Sequence, residues 1–426
     1  VVGTVVDGPD GAPAELPAGT QLVVTSPGWP PSHPLFASAA ALGIPIWGDV
    51  ELAWRLSRDV GTRWLVVTGT NGKTTTTEMA AAILAAAGVE SVAAGNIGTP
   101  LLDVVRKEPP YDVIAVELSS FQLHWAPSLE ATAAVVLNVA ADHLDWHGSR
   151  SAYAAAKARA FEGAGLAIGV AHEAGSMSLL EDARTAGVAA VVVELGPPAP
   201  GELGIVADRA AGTLLMVDRA FGPGVPEQAE FLLDLADVSW PMAPHFVTDA
   251  LAAAALTRAV GVTPEAVGAA LAEFVPGAHR MRTVAEHQGI RWVDDSKATN
   301  PHAAAASLGM FERVVWLAGG RNKGLEFDDL VREAAVRLSA VVLFGEAADE
   351  LASAFARHAP QILVVRVAAL DDGVRTAARL AQAGDTVLLA PAAASMDQFR
   401  DYAERGEAFA AQVRLTITGT ADGTEG

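Results

Sequence analysis

Short, fully apolar runs alternate with longer helical stretches along most of this chain. Trp64–Val67, Asp112–Glu117, Ala133–Leu137 and residues 190–193 read as buried strands separated by helices, the pattern of a mostly parallel sheet with crossovers. Ahead of them, Gly3–Asp7 and Gln21–Gly28 read as strand pieces around a Gly/Pro-rich loop. A helix from Pro34 to Gly43 then leads to the short strand Ile44–Trp47. Val260-Gly261-Val262-Thr263-Pro264 stops one helix and caps the next, with proline in its first turn. A second α/β series begins after Val275-Pro276-Gly277, with strands expected at Ile290–Val293, Val314–Leu317, Ala340–Phe344, Ile362–Val365 and Thr386–Leu389. Divisions of 1–49, 50–275 and 276–426 follow. The blocks Ala252–Ala255 and Ala303–Ala306 read as close-packed helices, no repeat of fixed period emerges, and the tail Thr418–Gly426 is expected to be disordered.

Composition narrows the class. The chain has 426 residues, enough for two to four domains, and 51% of them are hydrophobic, ample for sizeable cores. A net charge of −21 argues against nucleic acid or an anionic membrane as the main partner. With no cysteine there is no disulfide framework, zinc–thiolate site or thiol nucleophile. No run of 18 apolar residues suggests a membrane span, and the opening Val1-Val2-Gly3 has no basic segment of a signal peptide. A soluble cytoplasmic enzyme is the expectation. The opening inside an apolar run without methionine reads as a truncated start.

Lysine usage points to the chemistry. Only Lys73, Lys107, Lys157, Lys297 and Lys323 occur, with arginine used everywhere else a cation is wanted. A lysine kept against that bias does what arginine cannot, as a compact charge on phosphate or a modifiable amine. Lys107, in Arg-Lys-Glu-Pro-Pro, reads as a surface-loop cation; the other four lie in site-like segments. Trp64–Val67 runs into Thr68-Gly69-Thr70-Asn71-Gly72-Lys73-Thr74-Thr75 and then an alanine-rich helix. Such a turn gathers backbone N–H groups at the positive end of a helix, which suits polyphosphate. Lys73 suits the β/γ-phosphates and the Thr74 hydroxyl a phosphate-bound Mg²⁺. Val67 stands where the general P-loop pattern wants glycine, so this is a narrower variant.

Further clusters sit at expected strand exits, where ligands bind in open α/β sheets. Glu117 lies just past the strand from Asp112, placed as a Mg²⁺ ligand. His143, beside Asp142, follows the run to Leu137 and should emerge at the same sheet edge. Lys157 shares a helix face with Tyr153. In the C-terminal half, His279-Arg280, Asp294-Asp295-Ser296-Lys297-Ala298-Thr299-Asn300 and Gly319-Gly320-Arg321-Asn322-Lys323 gather polar groups. Ser395 is expected near the start of a helix, an anion site.

The loop from Thr68 to Thr75 resembles that of the Mur ligase and folylpolyglutamate synthase superfamily, ATP-dependent enzymes that form amide bonds. Asp295–Asn300, Gly319–Lys323 and Ser395-Met396-Asp397-Gln398-Phe399 narrow the resemblance to the D-glutamate-adding Mur ligases. Gly95-Asn96-Ile97-Gly98, Glu117–Leu123 and Ser26-Pro27-Gly28 agree, so the likeness covers nearly the whole chain. It implies a three-domain α/β fold: a partial Rossmann-like N-terminal domain binding the UDP-substrate, a central P-loop ATPase-like domain and a C-terminal Rossmann-like domain binding the amino acid. It also implies ATP-driven addition of D-glutamate to UDP-N-acetylmuramoyl-L-alanine through an acyl phosphate, in cytoplasmic peptidoglycan precursor synthesis, by a monomer.

The site residues carried over are Gly69, Thr70, Asn71, Gly72, Lys73, Thr74, Thr75, Arg280 and Asp295 for ATP. Thr74, Glu117, His143 and Lys157 are implied for two Mg²⁺ ions, with Lys157 carbamylated. Asn96, Ser119, Lys297, Thr299, Lys323, Ser395 and Tyr402 are implied for the other substrates. Against the family's usual first strand–helix unit, a few dozen residues are expected to be missing. Phe246 replaces an asparagine often found near the adenine, and Ala393 and Tyr402 replace a cysteine and a phenylalanine. A related ligase for another amino acid, and a truncated inactive nucleotide-binding relative, remain as alternatives.

Overall fold

The computed structural model describes residues 15–222 and 229–421; the strand expected over Gly3–Asp7 lies outside them. The chain divides into two compact units, one holding the chain up to Ala140 with Trp146–Val275, the other Ala141–Asp145 with Pro276 onward. Three sheets carry the α/β fold.

The first unit contains two sheets. Strands β1 (Val23–Thr25) and β2 (Ile46–Gly48) pair in parallel around the helix Pro34–Ala41. Their small core is Leu35, Phe36 and Trp125, with Val23, Trp29 and Ile46 packed against it. Gly48 donates its N–H to Trp125 O at 2.8 Å, and a Cβ at Gly48 would lie 2.8 Å from that of Trp125. A side chain there would push the small sheet off its neighbour.

The larger sheet is built from β3 (Arg63–Thr68), β4 (Ser91–Gly95), β5 (Val113–Glu117), β6 (Ala133–Val136), β7 (Leu166–Val170), β8 (Ala189–Val193), β9 (Glu202–Asp208), β10 (Thr213–Asp218) and β11 (Glu230–Asp234). Their order is β11-β10-β9-β8-β7-β6-β3-β5-β4. Pairing is parallel from β4 across to β9, then antiparallel through β10 and β11. The central strands are buried on both faces, which is why they read as unbroken apolar runs. The antiparallel extension was not among the expected strands, although β10 and β11 carry the short apolar runs Leu214–Val217 and Phe231–Leu233; both strands are only partly buried.

The second unit has β12 (Arg282–His287), β13 (Ile290–Asp294), β14 (Val314–Gly319), β15 (Leu338–Phe344), β16 (Val364–Arg366) and β17 (Thr386–Ala392), in the order β12-β13-β17-β14-β15-β16. Only β12 is antiparallel. Trp292, Leu317, Phe344, Leu389 and Phe409 anchor its core. Because β17 lies between β13 and β14, the exits of three strands distant in sequence are neighbours. The last helix runs Tyr402–Ala421, so the tail expected to lose structure from Thr418 stays helical to Ala421. No helix among the described residues is long and apolar enough to cross a membrane.

Candidate active site

The exits of β3, β5, β6 and β4 share one edge of the large sheet. Between β3 and the helix Lys73–Ala86, the turn ends on Gly72, the residue capping that helix, at φ +84°. A Cβ on Gly72 would lie 2.3 Å from Asp249 Oδ1, so both conformation and space demand glycine. The turn is pinned from the β6 exit. Asn138 Oδ1 accepts from the N–H groups of Thr70 (3.0 Å) and Asn71 (2.9 Å), and the Asn138 carbonyl accepts from Thr70 N at 3.1 Å. Thr70 Oγ1 bonds Ala140 at both its carbonyl and its N–H, and lies 3.0 Å from the Tyr153 hydroxyl. Lys73 Nζ donates to Gly69 O (3.0 Å) and Thr70 O (2.9 Å). Thr74 is half-buried and Thr75 buried.

Glu117 is the last residue of β5 rather than the first beyond it, and it is buried. Its Oε1 accepts from Asn96 Nδ2 at 2.8 Å, while Oε2 is buried without a hydrogen-bond partner. An orphaned carboxylate oxygen is costly unless a cation meets it, and a hard oxygen donor suits Mg²⁺. Among the described residues no three His, Asp or Glu side chains gather as a cage. Ser119 caps the helix Ser120–His124 in a reciprocal pair with Gln122.

Lys157 is not a surface cation. In the helix Arg150–Ala158 it shares a buried face with Tyr153 and Ala156. It is 1% exposed, donates to Gly69 O at 2.8 Å, and lies 4.6 Å from the centre of the Tyr153 ring. Tyr153 therefore holds both the phosphate-type turn and this lysine. His143 (φ +51°) belongs to the segment Ala141–Asp145, which groups with the second unit. Its N–H donates to Asp142 Oδ1 at 2.9 Å. Phe246 is buried against Trp240, so it packs into the core.

In the second unit, Asp295 is fully enclosed: Oδ1 accepts from Met281 N at 3.1 Å and Oδ2 from the Ser307 hydroxyl. Burial pushes its carboxyl up to about 6, opposed by those hydrogen bonds and by the nearby Arg280 charge. His279 (φ +62°) pairs with Asp294 at 2.6 Å. Lys297 Nζ sits 3.8 Å above the Tyr402 ring, joining two of the expected substrate residues. Thr299 is half-buried just before Asn300, whose side chain caps the helix Pro301–Leu308. Lys323 is half-buried on the loop after β14. Ser395 is buried, but it is followed by a turn and not by a helix. The next helix begins at Tyr402, and the carbonyl of Ser395 accepts from Gln398 N and Phe399 N. The expected helix-dipole anion site is therefore absent at Ser395, where the backbone closes one turn and does not continue as a helix.

Four residues that organise these loops were not singled out from the sequence: Asn138, Tyr153 as a brace of the turn, Asp249 and Arg405. Asn138 alone carried a readable signal, a polar residue directly after a buried strand.

Two family models match the chain: the Mur ligase middle domain over residues 67–197 and the Mur ligase glutamate ligase domain over residues 279–393. A UDP-N-acetylmuramoylalanine–D-glutamate ligase from Frankia casuarinae is 58% identical, over 94% of this chain and 82% of that protein. One from Streptomyces avermitilis is 53% identical, over 94% and 86%. Among solved structures, MurF from Acinetobacter baumannii aligns with TM-score 0.65 at 19% identity, covering 86% of this chain and 80% of that one. MurF ligase from Thermotoga maritima in complex with ADP aligns with TM-score 0.64 at 17% identity, covering 89% and 91%. At such identities the likeness is one of fold.

Proposed function

The chain belongs to the UDP-N-acetylmuramoylalanine–D-glutamate ligases of the Mur ligase family, and we propose that its strand-exit residues carry out that family's ATP-driven amide synthesis as follows. The γ-phosphoryl group of ATP passes to the carboxylate of UDP-N-acetylmuramoyl-L-alanine, giving an acyl phosphate and ADP. The amine of D-glutamate attacks the acyl carbon, and the tetrahedral intermediate collapses to the amide and inorganic phosphate. Such transfers depend chiefly on positioning and charge neutralisation.

The turn Gly69–Thr75 holds the phosphates, with Lys73 swinging from its own backbone carbonyls to the β/γ oxygens. Thr74 and Glu117 would hold one Mg²⁺, and His143 and Lys157 would serve a second. When bound, these ions neutralise phosphate charge. Lys157 is carbamylated in the working enzyme. A carbamate nitrogen retains one N–H, so the bond to Gly69 O survives while the lysine cation becomes an anion. Arg280 serves the nucleotide, and Asp295 does so by bracing Met281 beside it. Asn96 and Ser119 face the UDP-substrate, and Lys297, Thr299, Lys323, Ser395 and Tyr402 bind D-glutamate. The protein acts in the cytoplasm, as a monomer, in peptidoglycan precursor synthesis.

The observation that carries this reading is the pairing of a phosphate-type turn pinned by Asn138 with the unpartnered Glu117 oxygen on the adjacent strand. ADP release measured with UDP-N-acetylmuramoyl-L-alanine, with and without D-glutamate, tests it. Release that requires both is expected. Release driven by another amino acid would reassign the substrate, and binding of ATP without turnover would identify an inactive relative.

A further inference from the structure

The last helix sends one arginine into the centre of the second unit. Arg405 is fully buried, and its guanidinium donates to neutral oxygens at three strand exits. Nε reaches Ser296 Oγ (3.0 Å) and Nη2 Ser296 O (2.9 Å) after β13. Nη1 reaches Gly319 O (3.5 Å) at the end of β14 and Ala393 O (3.1 Å) after β17. Ser296 Oγ in turn donates to Tyr402 O at 2.8 Å, locking the start of the helix to the same turn. A Cβ on Gly320 (φ +128°) would lie 2.1 Å from Ala394 O and 3.1 Å from Arg405 Nη1, so the loop after β14 is shaped around the guanidinium.

Stability alone does not explain this residue. A buried cation loses its hydration, and a well-packed apolar side chain of similar volume is often no worse for folding. Burial pulls its pKa down to about 10, yet it remains charged at neutral pH. A planar fork of donors at fixed angles does what an apolar side chain does not: it sets distances among separate loops.

We propose that Arg405 is a positioning residue for the amino-acid substrate, fixing the spacing of the β13, β14 and β17 exits that carry Lys297 and Thr299, Lys323, and Ser395. This rests on the assignment of those four residues to D-glutamate. Arg405 touches no substrate; it acts through the three loops.

The test compares Arg405→Lys and Arg405→Gln with the wild type in the full-length protein, reading KM for D-glutamate, KM for ATP, kcat and thermal unfolding. Lysine keeps the charge but cannot reach all three loops. Its KM for D-glutamate should rise tenfold or more, with KM for ATP within twofold and a folded, cooperative protein. Unchanged KM for D-glutamate in a folded variant, or equal rises for both substrates, would overturn the proposal. Should both variants fail to fold, Ser296→Ala removes one acceptor and leaves the arginine. About a threefold rise in KM for D-glutamate alone is then expected, and no change counts against the role. Lys323→Ala is the control. If it leaves KM for D-glutamate unmoved, the site assignment itself fails. If it raises that KM while Arg405→Lys does not, only the positioning role fails.

Discussion

Lys73 Nζ donates to the Gly69 and Thr70 carbonyls of its own turn, so Lys73→Ala costs the fold little, about 1 kcal/mol per hydrogen bond. Turnover should nevertheless be abolished while thermal unfolding stays near wild type; activity within tenfold would remove the phosphate assignment. Lys157 offers a sharper contrast. Lys157→Arg keeps the charge but cannot carry a carbamate, since guanidinium stays protonated with a pKa above ~12, and it should be inactive. Lys157→Ala should also lose most activity, but acetate should restore part of it; a normally active arginine variant refutes the carbamate.

Asp295 gives a pH signature. Its folded pKa of about 6 lies above the ordinary 3.8, so its contribution to stability is full below pH 4 and is lost as pH rises through 6. Asp295→Asn removes this. The unfolding free energy of wild type relative to the variant should fall by up to roughly 3 kcal/mol between pH 4 and pH 8. A pH-independent difference would show that the carboxyl does not titrate as its burial requires.

At the scale of elements, the phosphate-type turn is held less by its own helix than by the exit of β6. Asn138→Ala would remove the side-chain acceptor shared by the N–H groups of Thr70 and Asn71, while Thr70 keeps its bond to the backbone carbonyl at position 138. Losing two hydrogen bonds costs about 1–3 kcal/mol. KM for ATP should therefore rise roughly tenfold or more, by the conversion of 1.4 kcal/mol per decade, while KM for D-glutamate stays within twofold. Equal effects on both would mean general unfolding. Gly72→Ala meets a φ of +84° and the Asp249 carboxylate together, and strain of that kind costs about 1–3 kcal/mol before the clash is counted. The glycine and the lysine beside it were legible because the motif is local. Asp249 was not, since it arrives on a helix far along the chain.

At the scale of the molecule, two units have separate cores, one around Trp64, Val116 and Leu123, the other around Trp292, Leu317 and Phe409. Calorimetry should therefore resolve two unfolding transitions. A non-hydrolysable ATP analogue should raise the transition of the unit holding Gly69–Thr75 by mass action, by about 2.7 kcal/mol at a hundredfold excess over Kd. A single transition that the analogue leaves in place would contradict both points.

The sequence by itself determined the α/β class, the strands buried on both faces, and the strand–glycine turn–helix geometry around Gly72-Lys73-Thr74, because apolar runs and turn residues are local properties. It also marked Lys157, Lys297 and Lys323 through the scarcity of lysine. Tertiary structure alone decided the rest. The antiparallel β10 and β11 are only half-covered, and their pairing with β9 joins segments whose short apolar runs do not say which strand they meet. Ser395 meets a single turn in place of a helix. Asn138, Tyr153, Asp249 and Arg405 look ordinary in sequence, and each acts through partners brought near only when the sheets assemble. A side chain's burial and its hydrogen-bond partners depend on distant segments, which no local pattern encodes.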